Sequence, residues 1–138
     1  MNPEINFYQT DEAISKSIAP LLIRVLNEEK RVFIFCKNKA QISEIDSALW
    51  NYGRYKFIPH ATIFDGEFDP KRQPVLISDK EENLNSADFL LFIDQPSDIF
   101  ISKFSRVFYF FEEGKNVSKI KPKNFYKKVA GKWISELR

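Results

Sequence analysis

Residues 31–60 read RVFIFCKNKAQISEIDSALWNYGRYKFIPH and contain a complete strand–helix unit. The run VFIF is short, continuous and apolar, which is typical of a strand covered on both faces. Asn38 follows in a polar turn and can cap the next helix. That helix has one apolar stripe at helical spacing, formed by Ile42, Ile45 and Leu49. The unit therefore predicts a buried strand followed by a helix that packs on a sheet.

Trp50 does not fit the apolar stripe of this helix. At about 100° per residue, it lies roughly 105° from the centre of the stripe. A second apolar segment with Phe57 follows at residues 57–60. Tryptophan is enriched at interfaces, so rim packing and a partner surface are equally compatible with its position.

The rest of the chain alternates between helical and strand patterns. Further strands are predicted at residues 5–8, 74–78, 89–93 and 106–111, the last of the chain. A helix is predicted before residue 27. Pro20 lies within it and predicts a kink or a break at Ala19. Ser97 can cap a short helix that ends near residue 103. Residues 61–73 contain glycine, proline and acidic residues and predict a long irregular loop.

This order of elements indicates parallel strands joined by right-handed crossovers. We expect an α/β fold: a Rossmann-like, mostly parallel sheet with helices on both faces. A length of 138 residues suits one domain, spanning residues 1–138. The N-terminus lacks the pattern of a signal peptide, and no apolar run approaches the ~20 residues of a membrane span. We therefore expect a soluble cytoplasmic protein with no membrane partner.

Positive charge is concentrated near the C-terminus. Residues 115–138 contain seven lysines, one arginine and one glutamate, a net charge of +7. The whole chain carries +2, so the preceding 114 residues carry −5. A basic helical segment at about residues 115–133 on an acidic body indicates an anionic partner.

The sequence contains no recognisable catalytic or cofactor-binding motif. The strand-to-helix turns at residues 9–12 and 36–39 contain no glycine, whereas a phosphate-binding loop needs one. We expect no nucleotide cofactor and no metal. Cys36 and His60 are the only thiol and imidazole of the chain, and we expect both to be structural. A small enzyme that uses these two residues is the alternative.

Lysines alternate with apolar residues in the basic segment. A solvated amphipathic helix is one interpretation. Another is a site with cationic rims and an apolar floor, to which Phe111 could contribute. Such a site suits an acidic peptide that ends in an aromatic residue. It would also suit single-stranded nucleic acid stacked on Phe125 or Tyr126.

In the order of its motifs the sequence resembles the chi subunit of bacterial DNA polymerase III. The resemblance rests first on a Phe-Tyr pair in the first strand, a KRV strand that ends near Cys36, and an Asp-x-x-Leu-Trp helix end. The motif FIPH follows at residues 57–60. A Pro-Val-x-Ile strand, an Arg-Val strand and a basic segment ending Val-Ala-Gly complete the match, which covers nearly the whole chain.

The resemblance implies a non-catalytic subunit of the polymerase III holoenzyme, a nucleotidyltransferase complex active in DNA replication. Chi subunits join the psi subunit of the clamp-loader complex to the acidic C-terminal tail of single-stranded-DNA-binding protein, and contact nucleic acid only indirectly. By position, Trp50 and Phe57 fall on the psi-facing surface. The residues that fall at or near the tail-peptide pocket are Phe111, Lys119, Lys121, Lys123, Phe125, Lys127 and Lys128. A protein that binds nucleic acid directly through the basic helix is the alternative function.

Overall fold

The computed structural model describes residues 4–10, 14–52, 58–66, 69–112 and 134–137. The strands are β1 Glu4–Thr10, β2 Val32–Phe35, β3 Ala61–Thr62, β4 Val75–Ser78, β5 Phe89–Phe92, β6 Arg106–Glu112 and β7 Ile134–Leu137. The helices are α1 Ile14–Asn27, α2 Lys39–Trp50 and α3 Asp98–Ile101, with a 3₁₀ turn at Pro70–Arg72.

The seven described strands form one sheet in the order β3-β4-β2-β5-β6-β1-β7. Every pairing between them is parallel. The inner strand β2 pairs Ile34 with Ile77 of β4 on one side and with Leu91 of β5 on the other. This arrangement confirms the predicted α/β class with a parallel sheet.

Each face of the sheet has its own core. Successive side chains of a strand point to opposite faces, so Ile34 belongs to one core and Phe33 to the other. Helices α1 and α2 cover the face of Ile34. The short helix α3 covers the opposite face, where Phe100 packs edge-on against Phe33 with ring centroids 5.4 Å apart. Helices therefore lie on both faces, as predicted.

Helix α2 begins and packs as the sequence indicates. The Asn38 side chain accepts a hydrogen bond of 2.9 Å from the backbone N–H of Gln41, which is the N-cap geometry. The three residues of the predicted stripe are all buried: Ile42, Ile45 and Leu49. The cap and the stripe together fix where the helix starts and which side faces the sheet.

Of the expected kink or break at Ala19, the break does not occur, because α1 continues from Ile14 to Asn27 with Pro20 inside it. A proline removes one backbone hydrogen bond from a helix interior. Pro20 is exposed, whereas Ala19 is buried. Water can therefore replace the missing donor on the outer side while the apolar face of α1 stays packed.

Two strands lie outside the predicted set. Strand β3 consists of two residues in the segment predicted as a loop, and it pairs with Leu76 and Ile77 of β4. Strand β6 is not the last strand, since β7 follows it and pairs with β1. A two-residue strand is too short for an alternating pattern, and ISEL at residues 134–137 has a polar centre. Tertiary pairing determines both strands.

None of the described helices is long and apolar enough to cross a bilayer. The basic segment at about residues 115–133 lies outside the described part of the chain, so its helical conformation stays a prediction.

Candidate functional site

Trp50 is the last residue of α2 and is 58% exposed. Its neighbour Leu49 is buried in the core. Most of Trp50 is thus exposed to solvent at the C-terminal end of α2, whereas the apolar stripe of the helix faces the core. The exposure agrees with the position of Trp50 off the stripe.

The inner side of the Trp50 indole lies against His60. The two ring centroids are 4.9 Å apart, and the ring planes are tilted by 56°. His60 precedes β3, the edge strand of the sheet, and its side chain is fully buried. The exposed indole therefore packs on a buried imidazole.

His60 is held from both ring nitrogens. Nδ1 lies 2.6 Å from the backbone carbonyl oxygen of Ile58, and Nε2 lies 2.9 Å from a carboxylate oxygen of Asp46. Asp46 is one turn before Trp50 on α2, so both residues reach the same imidazole. These contacts agree with a structural role for His60, and its partner Asp46 was not predicted from the sequence.

A second exposed aromatic ring lies near the other end of α2. Phe64 follows β3 and is 49% exposed, and the Lys39 ammonium is 5.0 Å from its ring centroid. This is cation–π geometry at the surface. The exposed position of Phe64 was not predicted, because the residue lies in the segment predicted as an irregular loop. An aromatic residue in such a loop was the only sign of it in the sequence.

The carboxyl edge of the sheet has polar and acidic groups where β2 and β5 end. Ligands of open α/β sheets bind where neighbouring connections go to opposite faces, and α2 and α3 leave β2 and β5 in this way. Here Asp94 accepts a hydrogen bond of 3.1 Å from Gln41, and the Lys37 ammonium is 3.8 Å away. The backbone N–H of Gln41 already donates to the Asn38 side chain. These contacts satisfy one backbone N–H at the start of α2 and place a carboxylate close to it.

Cys36 stands at this edge and is fully buried. Burial is the main cause that raises the pKa of its thiol from the ordinary 9.0 to about 12, and the nearby carboxylates of Asp79, Asp94 and Glu44 contribute to the same rise. Thiolate is the reactive form of cysteine. The Cys36 thiol therefore stays protonated near neutral pH, as expected for a structural residue.

Among the described residues, no group of three His, Cys, Asp or Glu side chains could hold a metal ion.

The remaining predicted site residues fall mostly outside the described residues. Phe57 is one of them. The tail-pocket residues outside the description are Lys119, Lys121, Lys123, Phe125, Lys127 and Lys128. The backbone of Phe111 is described, near the end of β6, where it pairs with Gln9 of β1. The structure thus brings together Trp50, His60 and Asp46, and the tail pocket stays a prediction from sequence.

Comparison with known proteins identifies a matching family. The family described as DNA polymerase III chi subunit, HolC, matches residues 2–132. A probable DNA polymerase III subunit chi of Rickettsia prowazekii is 31% identical over 93 residues, 67% of this chain and 54% of the relative. A DNA polymerase III subunit chi of Pseudomonas aeruginosa is 34% identical over 77 residues, 56% of this chain and 51% of the relative.

The chain spans about half the length of the curated relatives it matches. The family match, in contrast, extends over nearly all of its residues. The match also includes the motifs on which the fold and the Trp50 surface are built. This chain belongs to the DNA polymerase III chi subunit family.

Proposed function

We propose that this protein is a non-catalytic, cytoplasmic adaptor of the DNA polymerase III holoenzyme. It binds the psi subunit of the clamp-loader complex through one surface and the C-terminal tail of single-stranded-DNA-binding protein through another. The observation that carries the proposal is the exposed indole of Trp50 on a fixed, buried support. Membership of the chi family supplies the context of DNA replication.

Trp50 has the properties of an interface anchor for psi. Large aromatic residues dominate binding energies at protein interfaces, and Trp50 exposes more than half of its surface to solvent. Phe57 follows seven residues later in the chain and is proposed to share the psi surface.

The basic segment has the composition of a site for an acidic peptide. Its net charge of +7 attracts carboxylates, and its aromatic residues can form the floor of an apolar pocket. We assign the pocket to Phe111 and Phe125. The cationic rims are Lys119, Lys121, Lys123, Lys127 and Lys128.

Titration of the full chain with a fluorescent tail peptide of single-stranded-DNA-binding protein tests the tail site. The peptide should bind, and deleting its final aromatic residue or amidating its C-terminus should abolish most of the binding. A matched variant in which Lys123, Lys127 and Lys128 become Gln should bind more weakly and keep its thermal stability. Indifference to the terminal residue of the peptide would reduce the segment to a generic basic surface.

Direct binding of nucleic acid is the second candidate function, favoured by the charge of residues 115–138. Binding through lysine–phosphate contacts would weaken steeply as salt rises, because neutralised phosphates release counterions. Single-stranded DNA that binds as tightly as the tail peptide at equal ionic strength would favour this second function over the adaptor.

A further inference from the structure

The contacts of His60 indicate how many protons its ring carries. Both ring nitrogens face oxygen atoms that accept hydrogen bonds: a backbone carbonyl of Ile58 at 2.6 Å and a carboxylate of Asp46 at 2.9 Å. A neutral imidazole has one donor and one acceptor nitrogen, so it can satisfy one of these oxygens and would direct a lone pair at the other. An imidazolium donates to both.

The position of the ring gives this state a role. The His60 ring centroid is 4.9 Å from that of Trp50, within the range in which a cation is attracted to an indole. Asp46 and Trp50 lie on one side of α2, four residues apart, and both contact the same ring. The carboxylate holds the imidazole, and the imidazole supports the inner side of the indole.

We propose that His60 is the positioning residue of the Trp50 surface. It carries a proton on each ring nitrogen, is fixed between Ile58 and Asp46, and holds the indole outward as an anchor that is ordered before the partner arrives. This proposal rests on the proposed function in one respect, since it takes the partner of Trp50 to be psi. Ordering an interface side chain in advance removes part of the entropic cost of association.

The single histidine of the chain makes the protonation state directly measurable. In ¹⁵N-labelled full-length protein at pH 7, both ring nitrogens of His60 should show one-bond coupling to a proton. In Asp46→Asn, only one ring nitrogen should be protonated. The amide of the new side chain can donate a hydrogen bond to Nε2, and it no longer balances the positive charge of an imidazolium. A wild-type spectrum with one unprotonated nitrogen would overturn the proposal.

Time-resolved fluorescence anisotropy measures the order of the indole. Trp133 is the other tryptophan of the chain, so Trp133→Phe leaves Trp50 as the single emitter. Its anisotropy should decay with the tumbling of the whole protein. His60→Gln and Asp46→Asn should each add a fast local component, and the control Glu44→Gln, which removes one charge from the same helix, should not. A fast component already present without these changes would contradict the proposal.

Binding to psi links the positioning role to function. His60→Gln should weaken it roughly three- to tenfold, the cost of ordering one side chain at association, whereas Glu44→Gln should leave it unchanged. Equal weakening by both variants would contradict a specific role of His60. The NMR and anisotropy results concern the free chain, so they decide the positioning role even if Trp50→Ala binds psi normally and the proposed function fails.

Discussion

Leu49 and Trp50 are neighbours in sequence with opposite surroundings: the Leu49 side chain is 2% exposed and the Trp50 side chain is 58% exposed. One helical step of about 100° separates them. The same turn of α2 thus ends the core stripe and begins the exposed surface that we propose binds psi. Substitutions at the two positions should separate folding from binding.

Trp50→Ala should abolish or greatly weaken psi binding while the free energy of unfolding changes little. Truncating an interface aromatic commonly costs about 2 kcal/mol or more in affinity. Leu49→Ala is the matched control and should destabilise the fold by about 2–5 kcal/mol through lost burial and a cavity. Urea unfolding and psi pull-down check the pair. A Trp50→Ala protein that unfolds would show that Trp50 is a core residue.

Cys36 should make the stability of the protein depend on pH in the alkaline range. Its folded pKa of about 12 exceeds the ordinary 9.0, so the folded state keeps a proton that the unfolded state releases. The stability linked to this proton is fully present below pH 9 and is lost as pH rises toward 12. The slope is at most about 1.4 kcal/mol per pH unit.

The wild-type and Cys36→Ala proteins should be compared by urea unfolding between pH 8 and pH 10.5. Wild type should lose stability more steeply than Cys36→Ala above pH 9. Parallel curves would mean that the thiol is not protected from ionisation by burial. A thiol reagent at pH 8 should modify Cys36 only after denaturation.

Neither Cys36 nor His60 should contribute to the tail site. Cys36→Ala and His60→Gln should each leave binding of the tail peptide within about a factor of three, under ~1 kcal/mol. Fluorescence titration of the two variants checks this. A larger loss, or a nucleotide or metal that only wild type binds, would support the enzyme alternative over the adaptor.

The buried side chain of Asn85 should contribute strongly to the free energy of unfolding, because it bonds to the backbone at the start of β2. It is fully buried, and its amide donates to the carbonyl oxygens of Val32 at 3.1 Å and Gln73 at 3.0 Å. Asn85→Ala leaves two carbonyls without this donor and should cost about 2–4 kcal/mol of unfolding free energy. Asn51→Ala removes an exposed amide–carbonyl bond and should cost under about 1 kcal/mol. Similar losses in both variants would contradict this account of Asn85.

The parts of the fold that sequence could predict are those with a strong local pattern. The apolar runs of β2, β4 and β5, the Asn38 cap and the stripe of α2 each carry their signal within a few residues. The off-stripe angle also placed Trp50 at the surface. Strands β3 and β7 gave no such signal, because they depend on pairing with distant strands.

The candidate site was predictable only in part for the same reason. Asp46 and His60 are 14 residues apart, and their contact exists because α2 and β3 pack side by side. The pattern that identified the core side of α2 says nothing about a bond on its outer side. The resemblance to chi subunits located Trp50 and the histidine, whereas the structure supplied their relationship.

Sedimentation of the three components together tests the adaptor account most directly. A fluorescent tail peptide of single-stranded-DNA-binding protein should sediment with psi only when this chain is present. With Trp50→Ala, the peptide should sediment with the chain alone and leave psi behind. A peptide that displaces psi from the wild-type chain, or that fails to join the psi complex at all, would contradict the account.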